Sequence, residues 1–205
     1  MKNTLLKTVI AGSVLLLSNV VSAALVTIDF ESDTTGVQVD GFSSVDASGV
    51  YFSNSTGNSL ELGNFGSQSD GIGLGIFADD ASALNISFDS QISFLSLDFG
   101  NDDPGYTQSG DVALLTLFNG ASQVAQTSIE MNLDDILNQT ISYSGVLFDS
   151  ASFVFADASF NPLSLIEIVD NITYETSAVS VPEPSTLAIL ALGVFGLAAR
   201  KRCQK

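Results

Sequence analysis

The sequence predicts an all-β domain, a jelly-roll-like β-sandwich, set between an N-terminal signal peptide and a C-terminal transmembrane helix. Three observations carry this. Between Ala24 and Glu175 apolar residues recur with period two, in short runs bounded by Gly, Asn, Asp and Ser, which is the pattern of half-buried strands. No segment before Val181 shows a helical period, Leu133-Asp134-Asp135-Ile136-Leu137 making one turn at most. Both ends of the chain depart from the pattern and carry basic residues next to long apolar runs.

Residues 1–23 read as a signal peptide. Lys2 and Lys7 form a positive n-region, Thr8 to Val21 an apolar h-region, and Val21-Ser22-Ala23 supplies the small residues that signal peptidase needs, with the cut between Ala23 and Ala24. The sandwich is assigned to residues 24–175. Val26, Ile28 and Phe30 alternate with Thr27, Asp29 and Glu31 in the first strand. Val50 to Phe52, Leu84 to Phe88 and Ile92 to Phe99 follow. Val112 to Phe118 is apolar on both faces, as a central strand would be. Val124 to Met131, Gln139 to Tyr143 and Ala151 to Phe155 come next, and Leu165 to Tyr174 is the last strand, with Ile166, Ile168, Ile172 and Tyr174 on one face. Asn119-Gly120 and Asp103-Pro104-Gly105 are turns, and Ser69-Asp70-Gly71-Ile72-Gly73-Leu74-Gly75 is a turn leading into a strand. The first and last strands are expected to lie together. Residues 176–180 form a small-residue linker and 181–205 a separate terminal signal.

Charge partitions the chain. The basic residues are Lys2, Lys7, Arg200, Lys201, Arg202 and Lys205, and there is no His. Of 23 acids, only Glu183 lies outside residues 24–181. The segment between the two ends is therefore a polyanion with no cationic side chain. Nucleic-acid binding is excluded, since phosphate contacts come chiefly from Lys and Arg. Internal salt bridges are excluded as well, apart from any to a new N-terminal amine. The only Cys is Cys203, so the exported part has no disulfide and must rely on its core. Without His or Cys it cannot build a Ser-His-Asp, Cys-His or zinc-histidine site. The one enzyme class left is a two-carboxylate glycosidase. Its usual Trp platform is absent, and the reading is of a protein that is not an enzyme.

The candidate metal ligands are Asp29, Glu31 and Asp170. Asp29 and Glu31, two apart on a strand, would leave the same face. Asp170 interrupts the apolar face of the last strand, where an acid is costly unless paired or metal-bound, and no protein cation exists to pair it. If the terminal strands meet, the three carboxylates could hold Ca2+ with backbone carbonyls and water. The pairing of Thr27-Ile28-Asp29-Phe30-Glu31 with Val169-Asp170-Asn171-Ile172-Thr173-Tyr174 resembles carbohydrate-binding-module and MAM-type jelly rolls, which implies a structural calcium there. A second acidic stretch, Asp98 to Gly105 with Asp111, reads as a loop whose acids face water. Tyr51, Tyr106 and Tyr143 could offer ring faces to a sugar.

The terminal signal has three parts in order: Val181-Pro182-Glu183-Pro184, an apolar run from Leu187 to Ala199, and the basic stop Arg200-Lys201-Arg202. Proline excludes the first part from a helix interior. Ser185 to Ala199 is apolar all round yet shorter than a usual span of about 20 residues. The order resembles the PEP-CTERM sorting signal. That resemblance implies export across the inner membrane, transient anchoring there, cleavage near Pro-Glu-Pro by an exosortase, and delivery to the cell surface or extracellular polysaccharide matrix. The sequence thus points to a non-enzymatic surface or matrix protein, with a glycan-binding module as the alternative.

Overall fold

The computed structural model describes residues 24–76 and 80–176. The expected signal peptide, most of the linker, the motif Val181–Pro184, the apolar helix and the stop Arg200–Arg202 lie outside the described residues. Among the described residues no helix is long and apolar enough to cross a membrane.

The described part is all-β, apart from a 3-10 turn at Gly66–Gln68. Its strands are β1 (Leu25–Ile28), β2 (Gly36–Gln38), β3 (Val50–Asn54), β4 (Leu60–Gly63), β5 (Gly73–Ile76), β6 (Leu84–Gly100), β7 (Val112–Asn119), β8 (Ser122–Glu130), β9 (Gln139–Ala156) and β10 (Ile168–Glu175). The hydrogen-bonded order is β2-β4-β5-β10-β6-β9-β7-β8, with β1 added to β10 and β3 to β6.

Two long strands make this one sheet into a sandwich. β6 and β9 are paired antiparallel, but their register breaks between Ser87 and Phe94. The Leu84–Ser87 half of β6 pairs with β3 and with the end of β9, which in turn carries β7 and β8. The other half pairs with β10 and the start of β9. The two halves face each other across the core. Phe99 is opposite Gln139 in the ladder, yet its ring lies 5.7 Å from that of Phe153 and 5.9 Å from that of Phe155. Phe88 likewise meets Tyr174, at 5.3 Å. Such contacts between residues far apart in register require two packed layers. The inward residues of each strand, such as Leu84 and Ile86, or Ala113, Leu115 and Leu117, form the buried core between them.

Most sequence-predicted strands are present, with changed bounds. Leu84–Phe88 and Ile92–Phe99 are one strand, as are Gln139–Tyr143 and Ala151–Phe155, because each chain bends without leaving its partner. Val112–Phe118 is central, between β8 and β9. Asn119 pairs with Ser122 across the foreseen turn, with Gly120 at φ 57. β2 and β4 had no clear sequence signal of their own. Leu133–Leu137 is not helical: Leu133 and Asp135 have φ 62 and 60. β1 and β10 do pair, from Leu25 opposite Glu175 to Ile28 opposite Ile172. Beyond them, the Thr176 amide donates to the Ala24 carbonyl at 2.9 Å, so the domain starts and finishes at one place.

Candidate functional site

The site the sequence proposes lies where β1 ends and β10 bulges. β1 stops at Ile28, and Phe30 is buried with a left-handed backbone, φ 59, which breaks strand geometry. Asp29 Oδ1 accepts the Glu31 amide at 3.1 Å, the hydrogen bond of an Asx turn. Asp29 and Glu31 therefore sit on a turn and not on one strand face, which corrects the sequence expectation. Glu31 reaches the Ser69–Ile72 turn, where Oε1 accepts the Ile72 amide at 2.6 Å. Gly71, φ 83, lies under that carboxylate, and a Cβ there would collide with it. Asp29 goes elsewhere: it stands beside Asp46, whose carboxyl is pushed up by burial and then by the charges of Asp29 and Asp33.

Asp170 also departs from the expected face. Asn171 adopts φ 49, and the β10–β6 register slips between Asp170 and Thr173. This bulge resets the alternation. Val169, Ile172 and Tyr174 join the core cluster, while Asp170 is aimed at the Ser69–Ile72 turn. It is fully buried. Its Oδ2 accepts the Asp70 amide at 2.9 Å and its Oδ1 the Asn171 amide at 2.7 Å. Burial pushes its pKa up to about 6, against those two amides, with the charges of Asp70 and Glu31 adding to the rise. Glu31, from the turn after β1, and Asp170, from β10, thus clasp the Ser69–Ile72 turn between them.

The chemistry of this clasp is oxygen-only and anionic, which suits a hard cation. Its geometry supplies two of the three expected ligands. Glu31 and Asp170 come together beside Asp70, and Asp29 does not join them. Among the described residues no group of three or more His, Cys, Asp or Glu is arranged to hold a metal ion.

The second acidic stretch does not face water throughout, as the sequence suggested: Asp102 and Asp111 are buried, and its acids are divided among separate hydrogen-bond donors. Asp102 is buried, and its two oxygens accept the amides of Leu133 at 2.6 Å and Asp135 at 2.9 Å. Asp98 accepts the Thr140 hydroxyl at 2.5 Å, Asp103 the Gly105 amide, and Asp111 the Gln108 amide. In a domain without Lys, Arg or His, N–H and O–H groups take the place of counter-charges.

Glu167 escaped the sequence reading. It is fully buried, flanked in sequence by Ile166 and Ile168. Oε1 accepts the Phe155 amide at 3.3 Å, and Oε2 has no hydrogen-bond partner. Burial pushes its pKa up to about 8. The available signal was an acid inside an apolar run. Of the tyrosines, Tyr51 and Tyr106 are exposed, whereas Tyr143 packs edge-on against Phe148 and its oxygen accepts the Val146 amide.

An all-β sandwich-like domain followed by a sorting tail defines the class. The tail is identified by comparison: the PEP-CTERM protein-sorting motif matches residues 180–202. The chain carries that motif, which marks it for export and exosortase-dependent processing at the membrane. No curated protein matches the chain. Among solved structures, a DUF4465 family protein from Bacteroides caccae is similar at 11% identity and TM-score 0.45, over 74% of this chain and 98% of that one. The C-terminal family 22 carbohydrate-binding module of Clostridium thermocellum Xyn10B is similar at 10% identity and TM-score 0.37, over 77% and 94%. The arabinose-bound MgGH51 α-L-arabinofuranosidase is similar at 13% identity and TM-score 0.44, over 74% of this chain but 26% of the enzyme. At these identities and TM-scores the likenesses do not bear on what this chain binds or does.

Proposed function

We propose that the protein is a non-enzymatic component of the cell surface or extracellular polysaccharide matrix. It is made with a signal peptide cut between Ala23 and Ala24, held transiently in the inner membrane by the apolar run before Arg200-Lys201-Arg202, and released by an exosortase near Pro182-Glu183-Pro184. The exported domain is a jelly-roll-like sandwich whose acidic surface keeps it soluble and responsive to cations. The observation that carries this reading is the sorting motif at residues 180–202 behind a domain without a single cationic side chain.

Replacing Pro182-Glu183-Pro184 by Ala-Ala-Ala tests it. The altered chain should accumulate uncut in the membrane fraction, as the unaltered chain should in cells without exosortase. Equal release of a shortened product in all cases would overturn the sorting route.

Two finer readings belong to the same proposal. Ca2+ would bind Glu31 and Asp170, completed by backbone carbonyl oxygens and water. The buried charge of Asp170, which no protein cation neutralises, supports it. The domain would also contact matrix glycans. A row of uncharged polar residues across one outer face favours neutral chains there.

A further inference from the structure

We propose that the outer face of the layer β3-β6-β9-β7-β8 is the surface that binds a neutral polysaccharide, a proposal that rests on the glycan-contact reading above. Core residues alternate along each of these strands, so the intervening residues face outward. The register then assembles a row across the sheet. Ser53 is opposite Asn85, Asn85 opposite Ser152, Ser152 opposite Thr116, and Thr116 opposite Gln126. Five strands contribute one uncharged hydroxyl or amide each, none of them buried. At the ordinary strand spacing of about 4.8 Å the row spans about 19 Å.

The next row is Tyr51, Ser87, Ser150 and Phe118, again in direct register. Its two rings stand about 14 Å apart by the same spacing, with two hydroxyls between them. Tyr51 is exposed and Phe118 half-buried. Neither row contains an acid. Acids stand at the margins of the face: Asp89 is 3.5 Å from the Tyr51 hydroxyl, Asp149 accepts the Ser150 hydroxyl at 3.2 Å, and Glu130 lies on the same side of β8 as Gln126.

The opposite outer face is different. Its hydroxyl row, Thr27, Thr173, Ser96 and Ser142, runs next to the Asp170, Asp98 and Thr140 row and to Glu175. The acids of the first face stand at its margins, whereas Asp98 stands beside the hydroxyl row of the second. An anionic polymer is repelled by the domain as a whole, and a cation is drawn to its acids. A neutral chain suits the Ser53–Gln126 row, where hydroxyls and amides can exchange hydrogen bonds without desolvating a carboxylate, with the Tyr51 and Phe118 rings beside it to pack on sugar faces.

Affinity electrophoresis of the processed protein tests this, using gels containing hydroxyethyl cellulose, xylan or galactomannan, with alginate as the acidic comparison. At least one neutral polymer should retard it, and alginate should not. Ser152→Asp, which puts a charge in the middle of the row, and Tyr51→Ala should each weaken retardation at least tenfold. Ser142→Asp on the opposite face should leave it unchanged. Asn85→Ala with Thr116→Ala removes polar groups without adding charge and serves if Ser152→Asp lowers Tm. Retardation that Ser142→Asp abolishes, or that survives Tyr51→Ala and the Asn85/Thr116 pair, overturns the face and leaves glycan contact standing. No retardation by any neutral polymer overturns both.

Discussion

Glu167 should make the domain less stable as pH rises through the neutral range. In the unfolded chain its pKa is near 4.5; in the fold, burial raises it to about 8. The folded state thus keeps a proton that the unfolded chain releases. Its contribution to stability is full below pH 4.5 and falls away as pH approaches 8. At 1.36 kcal/mol per pH unit, the loss by pH 7 is about 3 kcal/mol, a large share of an ordinary domain's stability. Glu167→Gln removes the titration and keeps the acceptor for the Phe155 amide. Urea unfolding of the two proteins from pH 4.5 to 9 is the assay. The difference in unfolding free energy, variant minus parent, should rise by about 4–5 kcal/mol across that range, about 3 of it by pH 7, and level off above pH 8. Its absolute value depends on how the new amide hydrogens are satisfied, but its pH dependence does not. Because both proteins share every other carboxylate, their general self-repulsion cancels to first order. A difference that stays flat with pH would refute the buried, uncompensated acid.

Other tests address the remaining carboxylates. Asp170→Asn should cost about 1–3 kcal/mol at pH 8, since a carboxamide keeps one acceptor oxygen for the two amides of Asp70 and Asn171; thermal unfolding reads this, and an unchanged Tm contradicts the clasp. Asp102→Ala should cost about 2–3 kcal/mol and speed hydrogen exchange at Leu133 and Asp135, the two amides it holds. Calcium titration should raise Tm in the parent and less in Glu31→Gln; no rise in the parent removes calcium from the proposal.

The fold class was legible because a half-buried strand shows its buried face every second residue. Val112 to Phe118 and the terminal strands could be read this way, and so could their adjacency. The site was legible only in part. Glu31 and Asp170 meet because β1 and β10 pair, which the sequence supports. Asp29 was misplaced because Phe30 turns left-handed, and Asp170 was assigned to the wrong face because Asn171 bulges. A single residue out of phase moves every following side chain to the other face, and period-two counting has no means of seeing it.

Composition and motif by themselves fix where the cations lie and that a PEP-CTERM motif follows the domain. These properties depend on residue types and local order, which need no fold to express them. Tertiary structure alone decided which acids are buried, that backbone amides stand in for missing cations, and that one row of uncharged polar residues crosses five strands. Those properties depend on register between strands distant in the chain, where Ser53 and Gln126 come to share a row. No local pattern of residues carries that register.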